Sequence, residues 1–195
     1  MGAWVFGERL VCLLNGEGFP GGKHPSVEIV LDSNLEPGNV EVRPSEDPWD
    51  CFAHVGIPEA SLVDPDLTGT VKEAIITALK FIRPEFSETI DRAVADIEKH
   101  GDDIRFLFQV KETQKYLIEV YFKAPGETED EDISLFIGVT NKATGQFLEG
   151  PRTPIFTFSV PPFGHEIRIK ISEIEKQLSD FKPRERPFMS KLVKW

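Results

Sequence analysis

The sequence predicts an α+β fold built on an antiparallel sheet of five or more strands. Two observations carry that prediction. The first is a run of three alternating segments in the middle of the chain. Ile104, Phe106, Phe108 and Val110 alternate with Arg105, Leu107, Gln109 and Lys111; Tyr116, Ile118, Val120 and Phe122 alternate with Leu117, Glu119, Tyr121 and Lys123; Ile133, Leu135, Ile137 and Val139 form the third set. Period-two alternation puts every second side chain on one face of a strand, and three such runs joined by short polar segments read as a meander with one apolar face. The second observation is the order of elements. Strand-like segments come first, helical patterns from about 70 to 100 follow, and more strands come after, which suits helices packed on one face of an antiparallel sheet better than alternating βα units.

Taken in order, Trp4 to Leu14 is apolar, and the interruption Gly7-Glu8-Arg9 suggests a bent strand or a small hairpin. Asn15 to Lys23 is glycine-rich and reads as a loop. It lacks the helix start that would make Gly16, Gly18, Gly21 and Gly22 a phosphate cradle. Val27–Leu31 and Val40–Arg43 read as strands around the turn Glu36-Pro37-Gly38-Asn39, where Pro sets the first central residue and Gly supplies a positive φ at the second. Residues 44–69 are proline-rich and irregular, with a short strand possible at Cys51–Val55, and this segment is the natural place for a contact loop. It carries Trp49, Phe52 and His54.

Thr70 and Glu73 have capping-box spacing ahead of a helix whose apolar face is Val71, Ile75, Ala78, Leu79 and Ile82. Asp64-Pro65-Asp66 resembles the opening of a calcium loop, but the twelfth position is Ile75 and the motif fails there. Pro84 ends the first helix, and a second runs through Phe86, Ile90, Ala93, Val94 and Ile97 to Gly101. After the meander, Ile155–Val160 and Ile167–Ile171 read as strands. Ser172 and Glu175 open a short C-terminal helix bearing Ile174, Leu178 and Phe181, and a basic tail spans 182–195. The length of 195 residues fits a single domain over 1–195.

Composition bounds the function more than any motif does. The formal net charge is −11, which argues against nucleic-acid binding and favours a basic partner. Two cysteines, Cys12 and Cys51, make no disulfide framework; the N-terminal segment lacks signal-peptide character, and no apolar stretch is long enough to span a membrane. These features point to the cytoplasm. The four histidines, His24, His54, His100 and His165, lack zinc-ligand spacing, and no Cys-x-x-Cys or nucleophile elbow occurs, so neither cofactor nor metal is expected. Cys51 and His54 form a nucleophile–base pair only if the loop folds them together.

The favoured reading is a non-catalytic acidic binding protein, of the inhibitor or immunity type, that engages a basic protein partner. Its expected contact residues are Trp49 and the acidic loop Glu127, Glu129, Asp130, Glu131 and Asp132. Two alternatives stand beside it: a carrier with an apolar cavity under the curved sheet, and an enzyme whose site is assembled only by folding.

Overall fold

The computed structural model describes residues 1–19, 26–47, 50–64, 66–123, 133–151, 153–155, 174 and 176–193. The chain divides into two compact units, one formed by 1–14 with 18–98 and the other by 15–17 with 99–195. The architecture is α+β, with an antiparallel sheet of more than five strands.

The first unit opens with α1, Ala3–Gly16, where the sequence suggested extended chain. The apolar positions explain the difference. Phe6, Leu10, Leu13 and Leu14 recur at helical spacing through the Gly7-Glu8-Arg9 step, and all four are buried. Gly7 marks no break; a Cβ there would meet only Ile75 Cδ1, at 3.7 Å.

Three strands follow: β1 (Ser26–Asp32), β2 (Val40–Pro44) and β3 (Asp50–Gly56). The turn between β1 and β2 forms as expected, with Gly38 at φ 86° and Asn39 N–H donating to Glu36 O at 3.0 Å. The two strands are not neighbours, however. β3 lies between them, parallel to β1 and antiparallel to β2. Ala53 and Val55 of β3 face Ala74 and Ala78 of α3 (Thr68–Ile82), with Val27, Ile29, Leu31, Val40 and Ile82 packed around them. α3, the first half of the expected helical segment, therefore lies on a face of this smaller sheet.

α3 begins at Thr68, two residues before the Thr70–Glu73 spacing suggested, and Leu67 at its N-cap makes no side-chain cap. The Asp66 carboxylate takes over that role, accepting from Thr68 N–H at 3.0 Å. Pro84 ends the helix as expected, and α4 (Ser87–His100) buries Ile90, Ala93 and Ile97. Gly101 terminates it at φ 50°.

In the second unit the meander forms: β4 (Phe106–Glu112), β5 (Tyr116–Lys123) and β6 (Ile133–Asn141) pair antiparallel in sequence. β7 (Phe147–Glu149) and β8 (Thr153–Ile155) both pair with β6, and β9 (Lys182–Pro183) pairs with β7. One alternation departs from the sequence reading. A bulge between Leu107 and Gln109 sets Gln109 opposite Val120 and Lys111 opposite Ile118. An extra residue in one strand reverses the facing of everything beyond it, so Val110 turns outward and is 43% exposed.

Both faces of β5 are covered along the middle of the strand. Ile118 and Val139 on one side pack against Ile174 and Phe181, with Leu178 beside them, as the C-terminal amphipathic pattern implied. On the other side Glu119 and Tyr121, expected to point outward, are buried at 2% and 0% exposure. The C-terminal segment covers that face. From β9 it passes Arg186 over Glu119 and then lies beside β4, with Met189 bridged in parallel to Arg105. Gly138 makes room beneath, because a Cβ there would stand 2.5 Å from the Phe147 ring and 3.0 Å from that of Tyr121.

No helix among the described residues is long and apolar enough to cross a membrane. The expected strands at 156–160 and 167–171, and the Ser172–Glu175 cap, lie outside the described residues.

Candidate interaction surface

Trp49 and the loop Glu127, Glu129, Asp130, Glu131 and Asp132 fall outside the described residues. Among the described residues, two polar clusters and one exposed projection are candidates for a site.

The first cluster occupies the face of the small sheet opposite α3. His54 Nδ1 lies 3.2 Å from Asp32 Oδ2. Arg43 Nη1 is 3.3 and 3.4 Å from the two ring nitrogens of His54, so the guanidinium lies across the ring instead of along one lone pair. Arg43 Nη2 donates to Glu41 Oε2 at 2.7 Å. The backbone N–H and side-chain amide of Asn34, with His54, hold the Asp32 carboxyl below its ordinary range. An Asp–His pair is two-thirds of a relay to a nucleophile. Cys51 does not complete it. Three residues along a strand reverses the side-chain direction, so Cys51 is buried with Ala53 and Val55 on the α3 side while His54 faces away. Burial and the Asp50 charge raise the Cys51 thiol pKa, which makes it a poor nucleophile. The cluster ties the three strands together across the open face.

The second cluster lies under the C-terminal segment. Arg186 pairs with Glu119 through two hydrogen bonds, Nε to Oε2 at 3.2 Å and Nη2 to Oε1. Tyr121 Oη donates to Glu149 Oε1 at 2.6 Å, and Arg184 Nε is 3.7 Å from Glu149 Oε2. Burial, and then the Glu149 carboxylate, push the Tyr121 hydroxyl pKa upward, so it stays protonated. With both Tyr121 and Glu119 closed off from solvent, these groups join the segment to the sheet. His100 likewise has a packing partner, stacked on Phe188 at 4.2 Å.

The exposed projection comprises residues 58–64 and Asp66. Its helix α2, Glu59–Leu62, ends at Val63, and Val63 is 82% exposed beside Leu62 at 41%. Glu59, Asp64 and Asp66 flank this apolar tip in the sequence, and all three are exposed. The tip is held in shape by its own hydrogen bonds: Ser61 N–H to Pro58 O at 2.9 Å, Asp66 N–H to Asp64 Oδ1 at 2.9 Å, and Thr68 N–H to Asp66 Oδ1 at 3.0 Å. The Thr68 hydroxyl and N–H keep the Asp66 carboxyl below its usual range, and therefore charged. Between Arg43 and Lys72 the sequence has no Lys or Arg, while it has Glu46, Asp47, Asp50, Glu59, Asp64 and Asp66. Other exposed apolar groups stand in different company. Trp4 and Val11 share a face of α1 with Glu8 between them, and Phe81 follows Lys80, which pairs with Asp91 at 2.5 Å.

A local signal for this surface was present in the sequence: an irregular, proline-punctuated segment without a basic residue. No periodicity marked Val63, because an exposed turn has none.

Among the described residues no group of three or more His, Cys, Asp or Glu could hold a metal ion. Fold and surface together describe an acidic α+β protein with an exposed apolar projection flanked in sequence by carboxylates. No family model, curated protein or solved structure matches the chain.

Proposed function

We propose that this chain is a non-catalytic binding protein that engages a basic protein partner, and that the projection of residues 58–64 and Asp66 is its contact point. The carrying observation is Val63. An aliphatic side chain 82% exposed on a hydrogen-bonded turn loses little conformational freedom on binding and gains apolar contact. The exposed carboxylates of Glu59, Asp64 and Asp66, on either side of it in the sequence, favour a partner whose pocket is bordered by Lys or Arg. The net charge of −11 adds long-range attraction for the same class of partner. Trp49 and the Glu127–Asp132 loop belong to the same reading, as an aromatic anchor and a second source of negative field. A reducing, cytoplasmic setting fits the two free, buried cysteines.

The test is affinity capture with immobilised protein, comparing wild type with Val63→Asp and with Asp64→Lys. Retention of one basic protein by wild type, lost in both variants while their thermal stability is unchanged, supports the reading. Equal retention by all three removes the projection from it. Retention only at low salt, without dependence on Val63, reduces the binding to charge alone.

A further inference from the structure

The C-terminal segment closes both edges of the larger sheet by different means. At one edge β9 pairs with β7 as an ordinary antiparallel strand. At the other, residues 188–193 lie parallel to β4. Arg105 N–H donates to Phe188 O at 3.0 Å, Ser190 N–H to Arg105 O at 2.9 Å, Leu107 N–H to Ser190 Oγ at 3.0 Å, and Val193 N–H to Leu107 O at 2.8 Å. Phe188 stacks on His100, and Ser190 and Val193 are buried, whereas Leu192 is exposed and Lys191, also exposed, pairs with Glu17 Oε2 at 2.5 Å. Main-chain bonds to a sheet edge with pockets for selected side chains are the geometry of peptide recognition by strand addition. Between the two anchors run Arg184-Glu185-Arg186-Pro187. Arg184, Glu185 and Arg186 are exposed, and the tether is held by Arg186 on Glu119, by Arg184 N–H donating to Phe147 O at 3.2 Å, and by Arg184 near Glu149.

We infer that the β4 edge is an acceptor site for an extended peptide, filled in cis by residues 188–193, and that the same segment of a second copy is the occupant that fits it in trans. The seated segment shows what the site takes: an aromatic ring for His100, a small hydroxyl residue at the buried position of Ser190, and a branched aliphatic residue three further on. A short tether presents the cis segment at an effective concentration on the order of millimolar, so an intrinsically weak site is full in the intact chain. A trans peptide gains access only in proportion to the open fraction. The Arg186–Glu119 pair lowers that fraction, together with the Lys191–Glu17 pair and the edge hydrogen bonds of 188–193. Glu119 is 2% exposed and Arg186 is 49% exposed, so the pair can be broken from the Arg186 side by one surface substitution.

The test uses the full-length chain and a fluorescein-labelled synthetic peptide of residues 182–195. Arg186→Glu sets two carboxylates against each other and lifts the cis segment. The peptide, which retains its own arginine, is expected to bind this variant at least about tenfold more tightly than wild type, with unlabelled peptide competing and a Ser190→Pro peptide inert. Equal binding to both proteins, or none to either, overturns the inference. Hydrogen exchange on the wild-type protein provides a second arm that does not depend on the variant folding. The Ser190 and Val193 amides are expected to exchange through a local opening, faster than those of Ile118 and Val120. Exchange at the same rate as Ile118 and Val120 means the edge opens only with the whole unit, and the inference fails.

Discussion

The bulge in β4 makes a quantitative claim about three side chains. Phe106 and Phe122 sit opposite each other on β4 and β5, with ring centroids 5.3 Å apart and planes tilted by 32°. They are 0% and 2% exposed. A phenylalanine buries ~150–200 Å² of apolar surface, which at ~25 cal/mol per Å² is worth about 4–5 kcal/mol against full exposure. Truncation to Ala retains Cβ but leaves a cavity, so Phe106→Ala and Phe122→Ala are each expected to cost about 3–5 kcal/mol. Because the rings touch, the double variant should depart from additivity by about 0.5–1.5 kcal/mol. Val110 is on the same strand and, by simple alternation, the same face as Phe106, yet it is 43% exposed after the bulge. Val110→Ala should therefore cost no more than about 0.5 kcal/mol, the usual figure for a surface change. Urea denaturation followed by fluorescence measures all four. A Val110→Ala loss comparable with that of a buried aliphatic residue, or an unchanged midpoint for Phe106→Ala, would refute the facing assigned to β4.

Three further outcomes are expected. Arg186→Ala strands a buried carboxylate and should cost about 2–3 kcal/mol, below the full buried-pair figure because water reaches Glu119 through the vacated site; Glu119→Gln should cost only about 1 kcal/mol, and the reverse ranking in denaturation would contradict the geometry. Burial and the nearby Glu8 push the Cys12 thiol pKa up to about 12, and Cys51 is raised as well, so neither should react with Ellman's reagent at pH 8 until the protein unfolds; rapid native labelling of either would be decisive against this. Asp66 and Asp32 have folded-state pKa values below their unfolded ones, so their contribution is complete above the ordinary carboxylate value and is lost as pH falls through the folded value; Asp66→Asn should flatten the acid limb of the stability profile below pH ~4, and an unaltered limb would mean its hydrogen bonds to Thr68 carry no weight.

What the sequence disclosed follows from how each element is specified. β5 and β6 were legible because period-two alternation is the direct imprint of a pleated strand with a buried side, as Ile118, Val120 and Val139 show. The bulge was not, since one extra residue leaves the composition of β4 unaltered and reverses only its geometry. α1 is hard to read from sequence because Glu8 and Arg9 look like an interruption in a strand but are a single step on a helix whose apolar positions continue around them. The start of α3 was placed late because Thr70 and Glu73 match a capping pattern, while the real cap comes from Asp66 beyond a proline. Glu119 and Tyr121 were assigned to solvent because what covers them is irregular chain more than sixty residues away, and no local pattern announces such a partner.

The same reasoning explains why the basic tail is a poor guide to partners. Its charges look like a free patch in sequence, yet Arg184 and Arg186 are directed at Glu149 and Glu119, and Lys191 meets Glu17 at 2.5 Å. Arg43, Arg83 and Lys142 are likewise set against Glu41, Glu85 and Glu112. Cations placed within a few ångströms of carboxylates cancel them locally and contribute little beyond a Debye length, ~8–10 Å at ordinary salt. The uncompensated part of the −11 charge is what an approaching molecule meets. A field of that sign sets the rate of encounter, while residence depends on groups that exclude water at the contact. On the described surface Val63 is the most exposed of the large apolar side chains, and the carboxylates of Asp64 and Asp66 that follow it each accept a local backbone hydrogen bond. Rate and residence would thus be set by different residues: salt should slow association without altering the contribution of Val63, and changing Val63 should shorten residence without altering the salt dependence.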